Sequence, residues 1–332
     1  LFYGAISGSG PATTAAVGSM CIPLLTSVGY DLTFATALVA VSGGLGIIIP
    51  PSIPYIMYCN AAGTSISELF LAGFLPGVLI ALCLMVYSYI YCRIHGEDKA
   101  KLNAQWKELR SRGFGTVLKE GFWALLSPVI ILGGIYGGIC SPTEAATISI
   151  FYSLIISVFV YRTIKIRDLP KILLDACETT AVIMFLIAGS NVMSFVMSFT
   201  GLPSAIGNAL ISVSSNKYVI LLIINLVLLV VGCFMDITPA VLIFTPIFLP
   251  VVQSFGMDPI HFGIMMVMNL GIGNITPPVG SALFSGCSVA DMDMEDMIKP
   301  ILPFYAAIFV ALMLVAYVPW FSMALPTLFG AV

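Results

Sequence analysis

The sequence predicts an all-α membrane protein assembled from two inverted repeats, each with a re-entrant hairpin and a broken helix. Three observations carry that prediction. Of the 332 residues, 59% are hydrophobic and only 9% charged, with a mean hydropathy of +1.07, whereas a soluble domain carries about 25% charged residues. Apolar runs long enough for spanning helices recur along the chain, and their lack of alternation argues against a β-barrel. Two Pro-Pro pairs, Pro50-Pro51 and Pro277-Pro278, interrupt such runs at corresponding places.

The elements follow in order. A short apolar piece runs Thr13–Thr26. A long one, Asp31–Ala62, breaks near Pro50-Pro51, and Ser67–Ile94 follows it. The stretch around Ala104–Arg112 is polar and reads as an interfacial helix. Glu120–Gly138, Pro142–Tyr161, Lys171–Phe199 and Lys217–Met235 are apolar helices. Ala240–Ser254 is again short, Asp258–Ala290 breaks near Pro277-Pro278, and Met297–Leu325 closes the chain. Ser141-Pro142-Thr143-Glu144 is a capping box with Pro at the first helical position, Ser65 and Glu68 share its spacing, and Asp258-Pro259 is an N-cap followed by Pro. Trp123 and Trp320 fit interfacial anchors.

Charge sets orientation. Of the 13 Lys and Arg residues, all but Lys217 and Lys299 surround two linkers, Arg93 to Lys119 and Arg162 to Lys171. The positive-inside rule places both linkers in the cytoplasm. With two helices between them they fall on one side, as the rule requires, and 200–216 lies outside. No basic stripe suits a nucleic acid. The eight cysteines lack metal-ligand spacing, and His95 and His261 are the only histidines. Without a His cluster, a metal motif or a nucleophile–base pair the chain does not read as an enzyme, and no Walker A pattern points to ATP.

Sliding the chain on itself by 227 positions, the distance from Pro50 to Pro277, aligns two segments without gaps. Pro23 meets Pro250, Gly29 meets Gly256, Asp31 meets Asp258, Gly44 and Gly46 meet Gly271 and Gly273, and Leu75-Pro76 meets Leu302-Pro303. Glycine and proline set backbone geometry, so the match concerns shape more than composition. An odd number of crossings separates Asp31 from Asp258, so the two segments point in opposite directions. Inverted repeats with paired interrupted helices are the sequence mark of a secondary transporter. Residues 120–216 have no counterpart in the first repeat, so about a hundred residues are expected to precede Leu1.

Four segments resist a plain helical reading: Ala5 to Thr13, Gly43 to Ser52, Phe234 to Pro239 and Gly271 to Pro278. The first and third read as hairpin tips, the second and fourth as helix breaks. Unwound backbone at membrane depth is tolerated only inside protein or beside a water-filled cavity. There, carbonyls and hydroxyls suit a hard cation such as Na⁺, and opposed helix N-termini suit an anion. Each tip is expected to meet its own break. Ser7, Ser9, Gly46 and Pro50 would form one cation site, and Asp236, Thr238, Gly273 and Thr276 its counterpart. Substrate would sit between the tips near Gly10, Thr13, Ser52, Asn274 and Gly280. Asp236 reads as a functional acid within a spanning region or as a helix cap.

At these residues the sequence resembles the large membrane subunit of tripartite ATP-independent periplasmic (TRAP) transporters. The resemblance is carried by Gly4-Ala5-Ile6-Ser7-Gly8-Ser9-Gly10-Pro11-Ala12-Thr13, Gly46-Ile47-Ile48-Ile49-Pro50-Pro51-Ser52, Ser141-Pro142-Thr143-Glu144-Ala145 and Gly273-Asn274-Ile275-Thr276-Pro277-Pro278-Val279-Gly280, and it covers essentially the whole chain. It implies a Na⁺-driven symporter of the bacterial inner membrane with an elevator-like transport domain, two re-entrant hairpins and two broken helices. It also implies a small membrane subunit, a periplasmic substrate-binding protein, and an organic acid substrate of the sialic acid or C4-dicarboxylate type. Residues 1–62 would then be transport-domain elements of the first repeat, 63–119 a spanning helix and cytoplasmic linker, 120–216 scaffold helices, 217–290 the second hairpin and broken helix, and 291–332 the last spanning helix. A stand-alone anion/Na⁺ symporter of related fold and a channel are the alternative readings.

Overall fold

The computed structural model describes residues 3–96, 98–213 and 216–330. Among the described residues every regular element is helical and no strand occurs. Seven helical segments among the described residues are long and apolar enough to cross a membrane. In chain order the α-helices are α1 (Gly4–Ser7), α2 (Gly10–Ser27), α3 (Leu32–Gly44), α4 (Ile53–Ala62), α5 (Ile66–His95), α6 (Lys99–Arg112), α7 (Phe114–Tyr136) and α8 (Pro142–Ile155). They continue as α9 (Leu169–Thr200), α10 (Leu202–Val213), α11 (Lys217–Phe234), α12 (Ile237–Ser254), α13 (Pro259–Gly273), α14 (Ser281–Ala290), α15 (Met294–Tyr317) and α16 (Trp320–Leu328).

The starts are chemically determined. Ser141 and Glu144 form the reciprocal capping box at α8, satisfying two donors that a helix start leaves without partners. Asp31 accepts from Thr33 N and Phe34 N at α3, and Asp258 accepts from Ile260 N at α13. Thr33 also gives its hydroxyl to Asp31, and chiefly through that bond the carboxyl is held below its ordinary value.

Two expected boundaries move. The short pieces at Thr13–Thr26 and Ala240–Ser254 are 18-residue helices, α2 and α12. Both extend toward the N-terminus through a proline, Pro11 and Pro239. Proline is harmless in a first turn, where its missing N–H had no intrahelical partner. At about 1.5 Å per residue each reaches about 27 Å, so shortness no longer sets them apart. Helix α7 starts at Phe114, ahead of the expected Glu120, because Lys119 and Glu120 interrupt the apolar pattern after its first turn.

The chain divides into two compact units, Leu1–Leu102 with Ser194–Val332, and Asn103–Met193. In the second, α7 and α8 pack together and Tyr152 donates to the Trp123 carbonyl, while Phe151, Phe159 and Phe185 stay exposed, as suits lipid-facing side chains. In the first, α13 is the core: Ile260 to Gly273 are all buried, the pattern of a helix that is apolar all round and surrounded by others. The elements of this unit recur at a spacing of 227 positions before the breaks and 228 after them. Helices α2 and α12 match end for end at 227 positions, and α4 and α14 are both 10 residues long. Their contacts are reciprocal: α4 packs on α12 and α14 on α2, while α3 meets α15 and α13 meets α5.

Candidate functional site

The two breaks have one backbone plan. Helix α3 tightens into a 3-10 turn at Leu45–Ile48, and its chain resumes as α4 after the cis Pro50-Pro51 bond. Helix α13 ends at Gly273 and resumes as α14 after the cis Pro277-Pro278 bond. Gly46 O accepts from Ile49 N at 3.2 Å, and Gly273 O accepts from Thr276 N at 2.8 Å, the same bond 227 positions on. Each carbonyl keeps a second lone pair.

Both breaks are reached by a neighbouring helix through a glycine pair. A Cβ on Gly4 would collide with the Gly46 backbone, and one on Gly273 with the backbone of Gly232 and Cys233. Only hydrogen allows such approach. Helices α11 and α12 form an antiparallel hairpin, since the start of one and the end of the other line the same cavity. Its bend at Met235-Asp236 lies just beyond Gly232. The other bend, Gly8-Ser9, has Gly8 at a φ of 64°, against Pro51 and Ile53.

The bends meet in a cavity of about 60 Å³. Its walls are Gly8 to Pro11, Ile47, Ile53 and Pro54, Asp236 to Thr238, and Asn274. The first turns of α2, α4 and α12 therefore face one space, and none has a side-chain cap at its N-terminus. The N–H groups of Gly10, Ile53, Ile237 and Thr238 precede the first intrahelical bonds. Asn274 is 2% exposed; its Oδ1 accepts from Ser281 Oγ, and its Nδ2 has no partner. The only charged wall residue is Asp236, exposed and at the N-cap of α12, where its carboxylate makes no capping bond. The arrangement offers donors to an anion and, at Asp236, an acceptor to a cation.

Of the residues expected from sequence, Ser9, Gly10, Asp236, Thr238 and Asn274 come together here. Ser7 and Thr13 lie behind the wall. Their hydroxyls bond each other, and Thr13 Oγ1 donates to Ser9 O at 2.7 Å. Gly46, Pro50 and Gly273 are buried in the breaks, and Ser52 is buried with an unpartnered hydroxyl. Thr276 gives its hydroxyl to Ile272 O at 2.7 Å, and Gly280, in the left-handed region, folds back on Thr276. Three participants were not foreseen. Thr14, fully buried against Gly43, holds a second unpartnered hydroxyl. Tyr55 and Tyr305 donate to the break carbonyls of Ile48 and Ile275. Thr14 stands next to the motif and was findable; Tyr305 had no local signal. The unpartnered hydroxyls of Ser52 and Thr14 and the half-used carbonyls of Gly46 and Gly273 are, each at its own place, oxygens of the kind that suits a monovalent cation. Among the described residues no three His, Cys, Asp or Glu side chains cluster for a harder metal.

Larger cavities exist, of about 230 Å³ at Lys217, Asp258 and His261 and about 410 Å³ at Arg93 and Lys99. They are built from helix ends, without a break or a bend.

Residues 1–321 match the family model described as "Tripartite ATP-independent periplasmic transporter, DctM component". The chain is 47% identical to the YgiK protein of Salmonella typhimurium, over 99% of this chain and 74% of that one. It is 43% identical to the isethionate TRAP transporter permease protein DctMQ of Oleidesulfovibrio alaskensis, over 99% of this chain but 51% of that one. It is 40% identical to the C4-dicarboxylate TRAP transporter large permease protein DctM of Pseudomonas aeruginosa, over 99% and 76%. The chain thus spans about half of the DctMQ relative and about three quarters of the other two.

Proposed function

The chain belongs to the DctM component family of tripartite ATP-independent periplasmic transporters, an inner-membrane family, and on that premise we propose that it performs sodium-coupled symport of an organic acid anion. One observation carries the reading: three uncapped helix starts face a single cavity that has Asn274 in its wall and no basic side chain among the described residues that line it. A helix N-terminus favours an anion by about 0.3–1 kcal/mol, so an anion here depends on further positive charge. Sodium at the two breaks supplies it. One ion is held near Ser7, Ser9, Gly46 and Pro50, with Ser52 and Thr14 adding oxygens. The other is held near Asp236, Thr238, Gly273 and Thr276. Gly10 and Asn274 line the substrate position between them, and Thr13, Ser52 and Gly280 support it from outside the cavity wall. Neither ion nor anion is well held alone, which is the coupling that symport requires.

The repeats run in opposite directions in this reading, with the bends as re-entrant tips. Reciprocal packing of α4 on α12 and α14 on α2 supports the pairing. The second bend stops level with the end of α13, and α14 continues about 15 Å further, which supports a tip inside the membrane. Tips and breaks then travel as one body, the elevator element of the proposal. Substrate arrives from a periplasmic binding protein, and a small membrane subunit completes the permease.

The test is uptake by proteoliposomes holding the full-length protein, its small subunit and its binding protein under an imposed Na⁺ gradient. Labelled C4-dicarboxylate and labelled sialic acid are offered in parallel. Uptake needing both Na⁺ and the binding protein is expected. Uptake of free acid without the binding protein would move the reading to a stand-alone symporter, and uptake indifferent to Na⁺ would end it.

A further inference from the structure

The sequence at each break creates the same unmet need. Ile48-Ile49-Pro50-Pro51 and Ile275-Thr276-Pro277-Pro278 place two prolines two and three residues after an isoleucine carbonyl. Proline has no N–H, so neither carbonyl can close a local turn onto those positions. A buried carbonyl left unmatched keeps its full desolvation penalty, and bilayer depth offers no water to relieve it.

A tyrosine hydroxyl answers it in both places, but from different helices. Tyr55 OH donates to Ile48 O at 3.1 Å from α4, within the same broken helix. Tyr305 OH donates to Ile275 O at 2.7 Å from α15, 30 residues away in the chain. The helices that follow the breaks take opposite parts. Helix α5 presents Gly73 and Gly77, where a Cβ would strike Tyr55, the Ile48 carbonyl and the Ile49 side chain; α15 presents the tyrosine itself. The source of the hydroxyl changed between the repeats while the bonded carbonyl, 227 positions on, stayed the same. At the second break Thr276, the residue after the bonded carbonyl, gives its own hydroxyl to Ile272 O at 2.7 Å.

We infer that Tyr305, with Tyr55 as its counterpart, is a positioning residue for sodium: its hydroxyl fixes the peptide at the break and so presents the Gly273–Thr276 oxygens to the ion. The inference rests on the sodium sites proposed above. It makes the two sites unequal in kind. The first is held from within its own broken helix, whereas the second depends on α15.

The experiment uses Na⁺ as the probe, on full-length protein purified with its small subunit. Melting temperature is followed against NaCl at constant ionic strength, with choline replacing Na⁺. Tyr305→Phe is compared with wild type and with Tyr317→Phe, whose hydroxyl bonds the Tyr218 carbonyl away from both breaks. The half-saturating Na⁺ concentration is expected to rise about fivefold in Tyr305→Phe, the worth of about one hydrogen bond, and to stay unchanged in Tyr317→Phe. Thr276→Ala added to Tyr305→Phe should give less than the product of the two single effects. A Tyr305→Phe protein that melts lower without Na⁺ yet keeps the wild-type Na⁺ midpoint overturns the inference alone, because the tyrosine is then only structural. A wild type that Na⁺ does not stabilise at all overturns the inference together with the sodium sites.

Discussion

Asn274→Asp is the most direct probe of the anion cavity. The change is nearly isosteric. The oxygen that accepts from Ser281 Oγ is kept, and the unpartnered Nδ2, buried beside Gly10 at the cavity wall, becomes a carboxylate oxygen. A hydrogen bond to a charged group contributes about 1.5–3 kcal/mol. Losing about 2 kcal/mol corresponds to roughly a thirtyfold weaker affinity. Repulsion between the new charge and the substrate acts in the same direction, about 4 kcal/mol for a pair 4 Å apart at an effective dielectric of 20, so thirtyfold is a floor. The introduced carboxyl also changes the pH response. Once protonated it regains an O–H donor and loses its charge, so KM should fall back toward wild type as pH drops below about 5. The assay is initial uptake in proteoliposomes over a range of acid concentrations at several pH values. A variant with KM within about threefold of wild type at pH 7 would refute the assignment of Asn274 to the anion.

Other perturbations separate ion sites from scaffolding. Asp236→Ala and Ser7→Ala should each raise the Na⁺ concentration needed for half-maximal uptake, and unchanged Na⁺ activation in both would remove these residues from the cation sites. Gly273→Ala drives a Cβ into the Gly232 and Cys233 backbone, which cannot shift as a side chain can, and should destabilise by about 1–3 kcal/mol. Gly115→Ala in α7 meets nothing within 4 Å and should be neutral or stabilising by up to about 1 kcal/mol; thermal melting of the pair shows whether glycine is required for space or merely present. The Asp31 carboxyl, held low by its N-cap bonds, stabilises α3 at pH above its ordinary 3.8, and that contribution is lost as pH falls through the depressed value. Asp31→Ala should therefore cost about 1 kcal/mol at neutral pH, with the gap between variant and wild type in melting temperature closing in strong acid.

The parts of the site legible beforehand were those governed by local chemistry. Ser141 and Glu144, Asp258 with Pro259, and the two Pro-Pro pairs announce caps and breaks because the donors and acceptors they supply or withhold act within a few residues. Glycines at Gly46 and Gly273 could be named because a break needs carbonyls without bulky side chains around them. The helix starts at Gly10 and Ile237 were placed too late, since Pro11 and Pro239 read as stops although a first turn accommodates proline. Thr14 was overlooked for a similar reason: in a run of small residues its hydroxyl looks like any other until Gly43 is seen to cover it.

By itself the sequence determined a helical membrane protein, the caps, the two breaks and the constant spacing between them, because hydropathy and proline or glycine chemistry act along the chain. Tertiary structure decided which segments share a cavity, that Asn274 is left with an unused donor, and that the Ile275 carbonyl is held by Tyr305 from another helix. Those facts depend on how helices far apart in sequence pack side by side, and nothing within a few residues of either partner encodes that packing.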